Sequence, residues 1–138
     1  MHLEKEFTVE LDRSEVARNL DADETFVALF PDTEITRQAG SLRETLTRVS
    51  IGGIAKELRF VFETGGDGNV DFHKVCDGKI WKELKGRIRL DVEGTGTRVR
   101  VSMDGRTRAF VPEVAISGQM KSQLDDMVGA LQDRIRSA

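Results

Sequence analysis

The chain has 138 residues, the length of one ordinary domain, and we expect a single domain over residues 1–138. Its 38% hydrophobic and 33% charged residues exclude a disordered chain, and a net charge of −3 argues against a global field that attracts nucleic acid or an anionic membrane. No apolar run approaches the roughly 18 residues that span a bilayer, and the charged start is unlike a signal peptide, so we expect a cytoplasmic protein without an integral membrane segment.

The N-terminal residues predict a strand followed by two short helices. Residues 3–11 alternate between apolar and polar side chains, which is the pattern of a half-buried strand. Asp12 can cap a helix, and Glu15 follows it at the spacing of a capping box, so the first helix begins there. The second helix ends near Phe30, because Pro31 disfavours the helical conformation in the residue before it.

The rest of the chain predicts six strands and one long helix. Short glycine-containing turns divide residues 33–110, and such turns join antiparallel neighbours because a parallel return needs a crossover of a dozen or more residues. From roughly residue 112 to residue 136 the period becomes helical, with an apolar stripe of Met120, Leu124, Met127, Leu131 and Ile135. Gly118 predicts either a kink in this helix or a start delayed to Ser117.

The stretch KGRIRLDVEGTGTRVRVSMDG, residues 85–105, is rich in arginine, which raises the question of a nucleic-acid surface. Apolar residues occupy every second position, so the arginines point to the opposite, solvated face of the sheet: Arg87, Arg89, Arg98 and Arg100. Acidic residues share this parity and are predicted to be cross-strand partners. Stacking on bases needs aromatic side chains on the same face, where we expect only Trp81. We therefore expect no nucleic-acid partner.

Residues suited to catalysis or metal binding are sparse. Cys76 has no partner for a disulfide, and its spacing from His2 and His73 fits no metal site. Cys76 and His73 are expected on opposite faces of a strand, and the acidic residues fall mainly on the outward face, so no nucleophile with a base and no carboxylate pair is predicted. We predict no catalytic residue, no metal and no cofactor.

Four lysines fall on the parity of the inward-facing residues: Lys5, Lys56, Lys74 and Lys82. An ammonium group in an apolar core is costly, so each lysine must reach the rim, pair with an acid or meet the anionic group of a ligand. Reaching the rim is the simpler interpretation. Lys74, between Phe72 and Cys76 on one strand face, is the candidate for contacting a ligand.

The order of these elements resembles the START-like SRPBCC superfamily, which includes pollen-allergen proteins, polyketide cyclases and dehydrases, aromatases, coenzyme Q-binding proteins and carbon monoxide dehydrogenase accessory-like proteins. FTVELDRSEVARNLDADETFVALFP is similar to its opening strand and paired helices, and LDVEGTGTRVRVSMDG to its closing hairpin. The resemblance implies an α+β helix-grip fold, with a seven-stranded curved antiparallel sheet, two short helices after the first strand and a long C-terminal helix across the concave face. It also implies a cavity between the sheet and this helix.

The chain departs from the enzymes of this superfamily, because it has no tyrosine and shows no inward arrangement of acid, histidine or serine. We therefore predict the binding or transport of a small hydrophobic or amphipathic ligand, such as a lipid, a quinone or a polyketide-like molecule. The predicted lining residues are Phe26, Phe30, Leu58, Phe60, Phe62, Phe72, Lys74, Leu90, Val101, Met120, Leu124, Met127 and Leu131.

Two alternative functions share the same fold. A cyclase or aromatase-type enzyme would need two or more buried ionisable groups that converge on a pocket. A protein-interaction module, resembling the activators of heat-shock-protein ATPases, would use the outer sheet face around Trp81, Arg87 and Arg89, and a fully packed interior would favour it. Binding of a protein partner by such a surface would weaken with salt.

Overall fold

The computed structural model describes residues 1–137, which form seven strands and three helices. In chain order these elements are β1 (His2–Val9), α1 (Arg13–Leu20), α2 (Asp23–Ala28), β2 (Thr33–Ala39), β3 (Leu42–Ile51), β4 (Ile54–Thr64), β5 (Val70–Lys74), β6 (Trp81–Glu93), β7 (Gly96–Thr107) and α3 (Val114–Ser137). The strands form one antiparallel sheet in the order β1-β7-β6-β5-β4-β3-β2, so β1 and β2 are its edges. This topology confirms the predicted α+β helix-grip fold.

The two short helices follow β1 where the capping pattern predicts them. The carboxylate of Asp12 accepts a hydrogen bond from the backbone N–H of Glu15 at 2.8 Å and so caps α1. Thr25 in α2 is fully buried, and its hydroxyl donates to the backbone carbonyl of Asn19 at 2.7 Å. This bond joins α2 to the end of α1 and satisfies a buried polar group.

Helix α3 buries the apolar stripe that its sequence predicts. The buried stripe consists of Met120, Leu124, Met127, Leu131 and Ile135, and it shares one core with the inward-facing residues of the sheet. The helix begins close to the expected residue 112, and the alternative of a start delayed to Ser117 is wrong, because the N–H of Ser117 already donates to the carbonyl of Glu113 at 2.9 Å and the helix runs from Val114 through Gly118. One glycine costs a helix only about 1 kcal/mol, which the packing of the stripe outweighs.

The outer face of β6 and β7 carries the arginines, as their alternation predicts. Arg98 pairs with Glu93, and Arg100 pairs with Asp91 at 2.9 Å. Arg89 lies directly opposite Arg100 in the register, so two positive charges are neighbours on this face, and the ion pair of Arg100 with Asp91 offsets their repulsion. All of these side chains retain contact with solvent. The face is therefore a solvated surface with cross-strand ion pairs, each of which stabilises the fold only weakly.

A β-bulge near the start of β6 corrects the prediction for Trp81 and Lys82. The register passes from Trp81 opposite Thr107 to Glu83 opposite Arg106, so β6 contains one extra residue at this point. The extra residue reverses the alternation. Trp81 consequently packs against the core instead of lying on the outer face, and Lys82 is exposed instead of facing inward.

Candidate functional site

One end of the interior, which we call the closed end, consists of the last residues of β1, helix α1, the turn between β6 and β7 and the last turns of α3. Leu20, Leu131 and Ile135 are fully buried there. The side-chain amide of Asn19 donates to the backbone carbonyl of Ile135 at 3.1 Å and links α1 to α3. Apolar packing and this polar link leave the closed end inaccessible to a ligand.

The predicted lining residues divide into a deep group and a more accessible group. Ten of them are at most 5% exposed: Phe26, Phe60, Phe62, Phe72, Leu90, Val101, Met120, Leu124, Met127 and Leu131. The other three are partly exposed: Phe30, Leu58 and Lys74. The deep group packs together as core, so a ligand can reach these residues only if side chains move apart.

Five phenylalanine rings run through the interior from α2 to β5. The ring centroids of Phe26 and Phe62 are 5.0 Å apart, and those of Phe62 and Phe72 are 5.5 Å apart. Phe30 stacks on Phe60 at 5.7 Å. These separations are favourable for aromatic pairs. The rings make this part of the interior a continuous apolar and aromatic surface.

The inward face of β3 is polar, a feature that the alternation of its sequence does not predict. Arg43, Thr45 and Thr47 are all buried there. The hydroxyl groups of Thr33 and Thr47 lie 2.7 Å apart and form a hydrogen bond. Hydrophobic alternation could not show which face of β3 points inward, because both faces carry polar residues. The signal that could have identified the inward face is the register of β3 against the alternating apolar residues of β4.

Arg43 is held in place by acidic residues and an aromatic ring. Its guanidinium donates to the carboxylates of Asp21 at 2.6 Å and Asp23 at 2.9 Å, and it lies 4.6 Å from the ring centroid of Phe26. Burial alone would lower the pKa of Arg43, but the hydrogen bonds that its guanidinium donates to Asp21 and Asp23 hold that pKa above its usual range. These hydrogen bonds link β3 to the segment that contains α1 and α2, so Arg43 has a structural role.

The opposite end of the interior, which we call the open end, is bordered by two segments, residues 75–82 and 106–114. We call these segments the open-end loops. They contact each other, because the N–H of Arg108 donates to the carbonyl of Ile80 at 3.0 Å. A pocket of about 340 Å³ lies between them and is lined by Cys76, Gly78, Trp81, Lys82, Arg108, Ala109 and Phe110. The inward position of Trp81 depends on Gly105, since a Cβ there would lie 2.5 Å from the indole ring.

Lys74 is the last residue of β5, opposite Phe60 in the register, and its backbone carbonyl accepts a hydrogen bond from the thiol of Cys76, which lines the pocket, at 3.6 Å. The pKa of Asp77 is below its usual range because the N–H of Lys79 donates to that carboxylate and because the Lys74 ammonium group is nearby. The inward-facing Lys5 behaves differently, since it reaches across to α3 and pairs with Asp125 at 3.0 Å. Lys74 is therefore a partly buried cation two residues before Cys76, at the open end of the interior.

Two further depressions lie outside the interior. A groove of about 790 Å³ between α2 and α3 is bordered by Phe30 and by several acidic residues, including Asp125 and Asp126. A groove of about 640 Å³ on the outer sheet face includes both histidines. In residues 1–137, no three histidine, cysteine or acidic side chains converge as metal ligands, and no helix is both long and apolar enough to cross a membrane.

No protein-family model matches the sequence, and no curated protein matches it significantly. Solved structures do match its fold. Norcoclaurine synthase from Thalictrum flavum has a TM-score of 0.77 at 10% identity, with 100% of this chain and 87% of that chain covered. The Zhui aromatase/cyclase from Streptomyces sp. R1128 has a TM-score of 0.71 at 16% identity, with 99% and 96% covered.

A START superfamily protein from Mycobacterium smegmatis is similar over the same extent. Its TM-score is 0.71 at 14% identity, and the match covers 98% of this chain and 97% of that chain. At these identities the likeness concerns the course of the backbone and not the residues of a site. The structural neighbours and the sheet topology agree with each other. The chain has the helix-grip fold of the START-like SRPBCC superfamily.

Proposed function

We propose that the protein binds a small hydrophobic or amphipathic ligand, such as a lipid, a quinone or a polyketide-like molecule, between the sheet and α3. The observation that carries this proposal is the partly exposed apolar surface beside the open end. Leu58 and Trp81 are only partly buried there, and each packs against the core that contains the aromatic rings. Phe30 is also partly buried, but it borders the separate groove between α2 and α3. A ligand at the open end would therefore meet apolar surface continuous with the interior. We propose the cytoplasm as its location.

Entry of the ligand would require the deep group of lining residues to separate. Met120 and Met127 lie on α3 and face this interior. Methionine side chains are flexible and polarisable, so they can adapt to ligands of irregular shape. Thr45 and Thr47 supply hydroxyl groups on the opposite wall, and Lys74 supplies a cation beside the open end. These features suit a ligand with an apolar body and an anionic or hydroxylated end.

Binding accounts for the site better than either alternative. Among the described residues, Arg43 is the one charged residue that is buried, and its charge is paired with Asp21 and Asp23. The interior that these residues form therefore lacks the free ionisable groups that a cyclase would need. The packed interior is the observation that favours an interaction module. However, Trp81 faces inward, so the outer surface around Arg87 and Arg89 lacks the aromatic residue assigned to it.

Native mass spectrometry of the purified protein, followed by organic extraction, tests whether it carries a ligand. We expect an adduct that is lost on denaturation and recovered in the organic phase. A protein that is empty by this method can still be titrated with two fluorescent probes, N-phenyl-1-naphthylamine and 1-anilinonaphthalene-8-sulfonate, which share their rings but differ in charge. A purified protein that carries no ligand and binds neither probe would contradict the proposal.

The two probes also test Lys74. Lys74→Gln should weaken binding of the sulfonate probe about three- to tenfold, because it removes one partly exposed ionic contact, and leave the neutral probe unaffected. Lys56→Gln is the matched control, since Lys56 is exposed on β4 and lines none of these pockets. Leu58→Trp should weaken both probes by filling the opening, whereas Arg59→Trp on the outer face should weaken neither. If Lys74→Gln and Lys56→Gln changed the affinity for the sulfonate probe equally, Lys74 would not be a ligand contact.

A further inference from the structure

The open-end loops expose large apolar side chains to solvent. Four of the seven large hydrophobic residues that are exposed in the described part of the chain lie there: Val75, Ile80, Phe110 and Val114. Phe110 is 99% exposed and Val114 is 84% exposed. Leaving these side chains in water costs free energy that folding does not recover. Their grouping on two adjoining segments indicates a surface for another molecule.

Basic residues surround these apolar side chains. The open-end loops contain four cations, Lys79, Lys82, Arg106 and Arg108, against two acids, Asp77 and Glu113. All four cations are exposed. The whole chain has a net charge of −3, so the open end has the opposite sign to the molecule as a whole. An anionic partner is therefore the electrostatically matched one.

The mixture of exposed apolar and basic residues favours a fluid partner over a rigid one. The apolar side chains come from two segments, and only Phe110 among them borders the pocket between those segments. A protein partner would need a matching pocket for each of them. A bilayer interface accepts apolar side chains at any lateral position and holds basic residues at the level of the headgroups.

We propose that the open-end loops dock the protein on anionic lipid bilayers, with Phe110 and Val114 inserted and the four cations at the headgroups. The bilayer faces the same end of the molecule as the pocket lined by Trp81 and Cys76. A hydrophobic ligand could then pass between membrane and interior without crossing water. The docking goes beyond ligand binding and does not depend on it.

Co-sedimentation with vesicles tests the docking. Vesicles of phosphatidylcholine mixed with phosphatidylserine should sediment the full chain, vesicles of phosphatidylcholine alone should not, and added salt should release it. Phe110→Ser should lower the partition coefficient about tenfold, because one large apolar side chain no longer inserts. Lys82→Gln combined with Arg108→Gln should lower it by about tenfold or more.

A matched control lies at the other end of the molecule. Val92 is 69% exposed beside the turn between β6 and β7, so Val92→Ser removes a comparably exposed apolar side chain and should leave vesicle binding unchanged. Equal binding of wild type and Phe110→Ser, or an equal loss with Val92→Ser, would overturn the proposal. So would wild-type self-association in analytical ultracentrifugation that Phe110→Ser abolishes, because the partner would then be a second copy.

The two proposals fail separately. Val114→Ser should retain binding of N-phenyl-1-naphthylamine while it weakens vesicle binding, since Val114 is exposed and lines no part of the pocket between the open-end loops. A protein that sediments with anionic vesicles but binds no probe would overturn ligand binding alone. A protein that binds the probe but no vesicles would overturn docking alone.

Discussion

The closed end and the open end of the interior contain similar kinds of residue, but those residues are used differently. At the closed end Leu20 and Leu131 are fully buried, whereas at the open end Phe110 and Val114 are almost fully exposed. Burial of apolar surface is the main source of folding stability, so the closed end stabilises the fold. The apolar residues of the open end contribute little to stability and are available for contacts with other molecules.

The largest expected effect is at the closed end. Leu131→Ala should lower the free energy of unfolding by about 2–5 kcal/mol, because it leaves a cavity in a fully packed region. Val114→Ala at the open end should change it by less than about 0.5 kcal/mol. Urea denaturation of both variants measures the difference. If the two substitutions had equal effects, the proposed contrast in packing would be wrong.

A pair of glycine substitutions tests how far tight packing extends from the closed end. A Cβ at Gly86 would lie 2.3 Å from the Phe72 ring and 2.5 Å from the backbone carbonyl oxygen of Ser102. Gly86→Ala should therefore destabilise the protein by about 1–3 kcal/mol through overpacking.

Gly118→Ala is the matched control for this substitution. Nothing lies within 4 Å of the position of its Cβ, so alanine should stabilise α3 by roughly 0.5–1 kcal/mol. Thermal unfolding should show melting temperatures that move in opposite directions for Gly86→Ala and Gly118→Ala. A stable Gly86→Ala protein would mean that Phe72 and β7 can shift, and that the packed region ends nearer the closed end.

The smallest effect concerns an exposed contact where β1 begins at the open end. His2 Nδ1 lies 2.7 Å from the Asp104 carboxylate, and the carboxylates of Asp104 and Glu4, which accept hydrogen bonds from the protonated ring, raise the pKa of His2 above 6.5. The contribution of His2 to stability is therefore fully present below pH 6.5 and is lost as the pH rises through the raised pKa. NMR titration of the His2 ring should show this shift, and Asp104→Asn should reduce it. A pKa at or below 6.5 in the wild type would contradict the ion pair.

Much of the fold was predictable because its signals are local. The alternation of Ile88, Leu90, Val99 and Val101 specifies which face of β6 and β7 is buried, and all four residues are buried. The spacing of the α3 stripe likewise identifies the helix and its inward face. The Asp12 cap marks the start of α1. Each of these features depends on neighbouring residues or on one repeated spacing.

Other features depend on contacts between distant segments and were not predictable. The bulge that turns Trp81 inward is a property of the β6–β7 register, and one extra residue reverses the predicted face. The Arg43 side chain points inward because it forms ion pairs with Asp21 and Asp23 and lies over the ring of Phe26. The sequence of β3 alone does not indicate those partners. The amount of free space among the predicted lining residues depends on how their side chains pack together, which alternation does not encode.

The pairing of β1 with β7 has a consequence for how the protein is made. His2 and Asp104 lie opposite each other although 102 positions separate them in the chain. On the ribosome, β2 to β6 can pair with their neighbours as they emerge, whereas β1 must wait for β7 to be synthesised. The nascent chain therefore carries an unpaired β1 until β7 has emerged from the ribosome, and only then can the sheet be completed.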